Sequence, residues 1–331
     1  MDTPFFSIIT PNYNSGNKLL RAVRSLSGNN VSFEHIVIDD CSSDKSFKLP
    51  AGIKTPPKIF RNEKNLGPGP SRNKGLRLAK GRYIIFLDSD DFLVPGALDR
   101  IKKMLLSGKC PDVLVFGYHV VRYGSHHSFN DDAQLGEFDL ALHNKHSLLE
   151  KYLLDEVVSS PWGKCISSDL AKRATFPSLR VSQDAFYNLD IVFLTETAVI
   201  TDQKLYVFDK SDSKSLTSKP FDYREFKKFY KSWIAFEKKF LGDSSLSIYT
   251  DLLYARKIKF CVLYYLNRLA LTPEDKIDSR VVGFVKVLFL RNFWQARKNI
   301  SGKAIGASFL FCIFPRFTLR LIKSNLLRQN Q

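Results

Sequence analysis

Apolar runs and amphipathic stretches alternate through the first half of the chain, and the alternation predicts its elements. Phe5 to Thr10 reads as a strand, Lys18 to Leu26 as a helix, His35 to Asp39 and the shorter Lys58 to Arg61 as strands, and Pro70 to Ala79 as a helix. Tyr83 to Leu87 is a short continuous apolar stretch, the pattern of a central parallel strand covered on both faces. This order of strand and helix predicts a parallel, doubly wound sheet with right-handed crossovers. Val113 to Tyr123 follows as a long β-branched and aromatic strand, and Ser125 to Gln134 as a polar loop able to cover a site. Gln183 to Thr197 has helical periodicity and Val199 to Phe208 returns as a strand. From Asp222 onward the pattern changes to long helices, with Phe226, Phe229, Trp233, Phe236 and Phe240 spaced three and four residues apart. Two regions are expected: an α/β domain over 1–218 and a basic helical appendage over 219–331.

At 331 residues and 44% hydrophobic content, the chain can bury a substantial core and is not disordered. A formal net charge of +17 points to an anionic partner. The charge is uneven, because no Asp or Glu follows Asp278 while ten Lys and Arg do. Five scattered cysteines without C-x-x-C spacing argue for a reducing compartment without disulfides or structural zinc. The chain opens almost at once on a strand without a basic leader, so a cytosolic protein is expected. Val281 to Leu290 and Ala304 to Phe314 are too short to span a bilayer.

Polar clusters terminate three of the predicted strands. Pro11-Asn12-Tyr13-Asn14 closes the first, Asp39-Asp40 the second, and Asp88-Ser89-Asp90-Asp91 the strand from Tyr83. Open α/β sheets place their ligands at the carboxyl ends of strands. Carboxylates this close repel one another unless they project into water or share a cation that favours oxygen ligands. Asp39 or Asp40 alone reads as a turn or cap residue; three such ends on one rim describe a nucleotide pocket. Between the second and fourth strands, Asn65 to Gly75 combines glycines with Arg72 and Lys74, cations suited to a phosphate near a helix start. The loop has neither of the common glycine-rich phosphate-binding spacings. His126 and His127 read as loop residues, with no further ligand at metal spacing.

The order and wording of these segments resemble the family 2 glycosyltransferases. The matching pieces are Ser7 to Asn14, Val37 to Asp44, Asn65 to Gly67 with Ser71 to Gly75, and Phe86 to Asp91, and the likeness runs over residues 5–215. The resemblance implies an α/β GT-A fold, the Rossmann-like mixed sheet of nucleotide-diphospho-sugar transferases, with a helical C-terminal appendage. It implies that Pro11, Tyr13 and Asp40 hold uracil and ribose, with Asn65 and Arg72 completing the nucleotide cradle. Asp88 would contact ribose or sugar, Ser89 would lie beside it at the donor, and Asp90 would ligate Mn²⁺ or Mg²⁺ on the diphosphate. The family's general base sits in a Glu-Asp pair opening a helix. The matching place reads Gln183-Asp184, which makes Asp184 the base and Gln183 a departure. Trp162 and Lys164 fall in a segment that lines the acceptor pocket, with Trp162 as platform for a sugar ring. Lys210, Lys214 and Ser215 fall in a loop that closes over the diphosphate.

The implied activity is inverting, metal-dependent transfer of a sugar, UDP-linked, to a glycan or lipid-linked glycan in bacterial polysaccharide synthesis such as capsule or lipopolysaccharide. Two alternatives stay open: a nucleotidyltransferase making sugar nucleotides, and a non-catalytic basic binder. The basic stretch 279–331 suits helices at an anionic membrane surface on the inner face of the cell membrane. Its apolar faces could instead pack on a second subunit in a homo-oligomer. Nucleic acid is the least expected partner, since no recognised module for it is visible.

Overall fold

The computed structural model describes residues 3–49, 52–107, 110–122, 140–211, 223–273, 277 and 279–329. The expected loop from Ser125 to Gln134, the His126-His127 pair, Lys214 and Ser215 lie outside them. Two compact units are formed, one from residues 1–152 and 157–213, the other from residues 153–156 and 214–331.

In the first unit, β1 (Phe6–Asn12) runs parallel to β2 (Phe33–Asp39) and to β4 (Tyr83–Phe86), and β2 runs parallel to β3 (Lys58–Arg61). This half matches the parallel sheet expected from the sequence. Side chains alternate between faces along a strand. Phe6 and Ile8 pack in a core with Ala22 of α1 (Lys18–Ser25) and Leu98 and Ile101 of α3 (Ala97–Leu106). Ile9 meets Gly75 of α2 (Pro68–Leu78): a Cβ at Gly75 would lie 2.4 Å from Ile9 Cγ2, so only glycine lets this helix approach the strand. The helices therefore cover both faces, and the strand ends are left at the rim.

Beyond β4 the sheet is mixed. β8 (Lys164–Ser167) inserts antiparallel between β4 and β6 (Val113–Val121), and β6 is parallel to β9 (Thr197–Asp209). Short strands β5 (Phe92–Leu93) and β7 (Ala141–Asn144) both pair antiparallel with β9. The order is β3-β2-β1-β4-β8-β6-β9-β5, with β7 also on β9. None of the three short strands is apparent from periodicity. Helices α4 (Lys145–Leu153), α5 (Ser168–Arg173) and α6 (Gln183–Leu194) complete this region.

The second unit is helical: α7 (Tyr223–Leu241), α8 (Thr250–Ile258), α9 (Tyr264–Ala270), α10 (Ser279–Ala296), α11 (Gly302–Ile313) and α12 (Pro315–Gln329). A π turn, Lys259–Leu263, joins α8 to α9. The apolar face of α7 buries Phe226, Phe229, Trp233, Phe236 and Phe240, as their spacing requires, and Phe226 sets its ring edge to face with Tyr265 at 4.5 Å. Two oxygens of buried Glu237 accept from Lys257 Nζ at 2.7 and 2.9 Å, while Asp155 pairs with Arg256 and Lys259. All five cysteines are free. Among the described residues no helix is long and apolar enough to cross a membrane.

Candidate active site

The parallel registers put Asn12 opposite Asp39 and Asp39 opposite Arg61, so the polar ends of three neighbouring strands lie in line. Their first layer is structural. Asn12 Nδ2 donates to Asp39 Oδ1 at 2.9 Å and reaches Ser42 and Ser46, while the other Asp39 oxygen accepts from Ser42 N and pairs with Arg61. Asp39 is fully buried and committed to this lattice. Asp40, one residue on, is also buried and takes three donors. It accepts from Asn62 Nδ2 at 2.8 Å, from Leu66 N at 2.9 and 3.1 Å, and from Gly67 N at 2.7 Å. A carboxylate has about four acceptor sites. Asp40, expected with Pro11 and Tyr13 to hold uracil and ribose, here fixes the Asn65–Gly67 turn, in which Gly67 takes a φ of 91°.

That turn opens α2, whose first positions include Pro68 and Pro70. Prolines have no N–H, so this helix start offers few backbone donors to an anion, and a side chain must supply them. Arg72 does. Its Nη2 donates to Asp88 Oδ1 at 2.6 Å, and its cation lies 5.5 Å from the Phe176 ring, which stacks on Tyr187 at 3.9 Å. Nε and Nη1 are buried without a partner. An ionised guanidinium with two idle donors is costly to bury unless a ligand takes them. Lys74, grouped with Arg72 in the sequence reading, turns elsewhere: its Nζ donates to Arg61 O and Asn62 Oδ1, bracing β3.

The acidic loop divides its labour. Asp91 is buried, with Oδ2 accepting from Tyr206 Oη at 2.6 Å and Oδ1 accepting from Asp209 N at 2.9 Å. Burial, then the charges of Asp88 and Asp90, push its carboxyl up to about 8. The same tyrosine oxygen accepts from Asp88 N at 3.2 Å. Arg21 closes the loop from outside, donating to Asp90 O at 2.6 Å and pairing with Asp209 at 2.5 Å. Asp90 is exposed and Asp88 partly so, leaving both able to meet a ligand. The Asp90 carboxyl is raised by loss of surrounding water and by the Asp88 charge. The Asp88 charge is the part of that rise which a shared cation would relieve. Ser89 lies between them, half-buried.

Asp184 lies in the first turn of α6, where the charges of Arg72 and Asp88 act on it. Its carboxyl is raised by burial and by Asp88, against the lowering effect of Arg72 and of the Ala185 N–H. Gln183 beside it is buried against Gly69 of α2, and its Oε1 has no partner. Pro11 is half-buried, while Tyr13 (52% exposed) and Asn65 stand open at the rim.

Two expected acceptor residues are placed differently. Trp162 is 5% exposed, with its indole stacked on Tyr206 at 4.8 Å and bordered by Tyr118 and Phe208. It is a core residue supporting Tyr206, not an open platform. Lys164 is buried, and its Nζ donates to Val158 O at 2.6 Å and Ser160 O at 2.8 Å. Desolvation brings its ammonium down to about 7 against the raising charge of Asp184. It therefore ties the turn before β8 rather than facing an acceptor. Lys210 lies at the end of β9, its Nζ over the Phe208 ring at 5.1 Å. Tyr206, Arg21 and Asn62 organise the site, and the sequence reading missed them. The one available signal was Tyr206 in an apolar strand, where a buried tyrosine needs a partner for its hydroxyl.

Comparison with known proteins finds relatives in sequence and in fold. Residues 7–158 match the family model described as glycosyl transferase family 2. The succinoglycan biosynthesis protein ExoO of Rhizobium meliloti is 38% identical over 104 residues, 31% of this chain and 29% of that protein. The Escherichia coli enzyme WfgD, a UDP-Glc:α-D-GlcNAc-diphosphoundecaprenol β-1,3-glucosyltransferase, is 31% identical over 140 residues, 42% of this chain and 52% of that protein. Matches to these relatives thus span about half of their length or less. A crystal structure of residues 1–349 of Staphylococcus aureus TarS with UDP-GlcNAc superposes over 98% of this chain and 92% of its own, with a TM-score of 0.65 at 22% identity, a likeness of fold.

Proposed function

We propose, from the membership of residues 7–158 in glycosyl transferase family 2, that this chain moves one sugar from a UDP-linked donor to a hydroxyl of a glycan or lipid-linked glycan in bacterial polysaccharide synthesis, with inversion at the anomeric carbon. The observation that carries the reading is Arg72, a buried cation with two idle donors, paired with Asp88, whose charge acts on both Asp90 and Asp184. Such a group suits a diphosphate, whose oxygens accept charge-assisted hydrogen bonds. The exposed Tyr13 ring suits a stacked uracil, and Asp40 braces the turn that carries the exposed Asn65.

The loop also suits a divalent cation. Among the described residues no three His, Cys, Asp or Glu side chains group to hold an ion by themselves. An ion shared with substrate phosphates needs only one or two carboxylates, and Asp90, with the free oxygen of Asp88, provides them. Asp91 is already spent on Tyr206 and Asp209. Bound there, Mn²⁺ or Mg²⁺ supplies Lewis-acid neutralisation of the charge that builds on the leaving diphosphate.

In this reading Asp184 accepts the proton of the acceptor hydroxyl as its oxygen bonds to the anomeric carbon and the bond from that carbon to the diphosphate breaks, releasing UDP. A carboxylate raised from its ordinary value is the better base, and the charge of nearby Arg72 works against that rise. Gln183, neutral where the family pair has a carboxylate, offers the donor sugar an amide. The test is UDP release from UDP-glucose and UDP-N-acetylglucosamine with Mn²⁺. Asp184→Asn should lower turnover about 10²–10⁴-fold while donor binding persists. Turnover untouched by that change would overturn the assignment.

A further inference from the structure

We propose that the chain docks on an anionic lipid bilayer through the corner where α11 meets α12. Four large apolar side chains stand open there on successive turns: Ile313 (65% exposed), Phe314 (57%), Phe317 (56%) and Leu321 (42%). Single exposed apolar residues are ordinary, but a contiguous cluster marks a surface that meets something. At 3.6 residues per turn, α12 divides into three sectors. Thr318 and Leu319 are buried within the helical unit, Phe317 and Leu321 form the open apolar sector with Phe314, and Arg316, Arg320 and Lys323 are exposed along its flank.

The chemistry of those sectors selects the occupant. A second copy meeting this same face would bring its cations against their own counterparts, and residues 279–331 contain no Asp or Glu to pair them. Nucleic acid would engage the cations, and rings could stack on bases, but Ile313 and Leu321 have no π-face to offer. An anionic bilayer accepts both sectors at once. Apolar side chains enter below the headgroups while Lys and Arg stems extend to the phosphates, each cation adding attraction to the negative surface. Since no helix among the described residues is able to cross, the contact is peripheral. The surface lies wholly within the helical unit and does not rest on the catalytic reading.

The experiment is flotation of the full chain with vesicles of equal parts phosphatidylglycerol and phosphatidylcholine, and with phosphatidylcholine alone, without donor or metal. The chain should float with the anionic vesicles and remain behind with the neutral ones. Phe314→Ser with Phe317→Ser, and separately Arg316→Gln with Lys323→Gln, should each weaken anionic binding about tenfold or more. These positions are exposed, so both variants should keep the wild-type melting temperature and UDP release. Equal binding to both vesicles, or undiminished binding by both variants, overturns the proposal. So does a wild-type chain that floats with neither vesicle but elutes as a dimer that the phenylalanine variant dissociates. Vesicle binding without UDP release would leave this surface standing and remove the catalytic reading alone.

Discussion

Tyr206→Phe isolates one hydroxyl at the centre of the site. The ring stays stacked on Trp162, so packing is preserved and only the hydrogen bonds of Oη are lost. Two are involved: donation to Asp91 Oδ2 at 2.6 Å and acceptance from Asp88 N at 3.2 Å. Burial and the charges of Asp88 and Asp90 raise the Asp91 carboxyl, so the first bond is worth about 1–3 kcal/mol depending on how much charge it carries. Leaving the Asp88 N–H without its acceptor costs about another 1 kcal/mol. The sum, about 2–4 kcal/mol, corresponds to a melting temperature lowered by about 5–15 °C for a unit of this size. Because the same hydroxyl positions Asp88, Mn²⁺ should half-saturate UDP release at a several-fold higher concentration, with turnover largely recovered at saturating metal. Thermal melts and a Mn²⁺ titration read the two effects. A phenylalanine variant with wild-type melting and wild-type metal response would refute the view that Tyr206 and Asp91 brace the acidic loop.

Two further substitutions test the scaffold. Gly75→Ala gains helix propensity but drives a Cβ into Ile9, so urea unfolding should show a net loss of about 1–2 kcal/mol; an unchanged or raised midpoint would contradict the close approach of α2 to β1. His35 is buried with Nε2 2.9 Å from Thr10 Oγ1, and desolvation lowers it from 6.5 to about 3. Between those values the unfolded chain holds a proton that the folded one refuses, so this residue's contribution falls as pH drops from about 6.5 towards 3. Relative to wild type, His35→Gln should therefore gain stability by up to about 1.4 kcal/mol per pH unit across that window. A pH-independent difference would show that His35 charges in the folded state.

The sequence conveyed the skeleton where local signals and tertiary context agreed. Tyr83 to Leu87 is apolar throughout because β4 is covered on both faces, and the acids after it fall at the rim because the strand ends there. Asn65 to Gly75 announces a turn and a helix start through its glycines and prolines. The four residues of β8 carry no periodicity, and only pairing with β4 and β6 makes them a strand. Side-chain roles were less legible because neighbours in sequence part in space. Arg72 faces Asp88 while Lys74, two residues on, faces Asn62. Asp90 meets solvent while Asp91 is buried against β9. Trp162 and Lys164 belong to the interior because a stacking partner and two carbonyls await them there, which no motif records.

The most direct test of the account is calorimetric titration of UDP into the full chain with and without Mn²⁺, repeated on Arg72→Met. The account predicts binding that Mn²⁺ strengthens and that loss of the guanidinium weakens by about 10–100-fold, the worth of charge-assisted bonds from a buried cation. No UDP binding in Mn²⁺, or binding that Arg72→Met leaves unchanged, would contradict it.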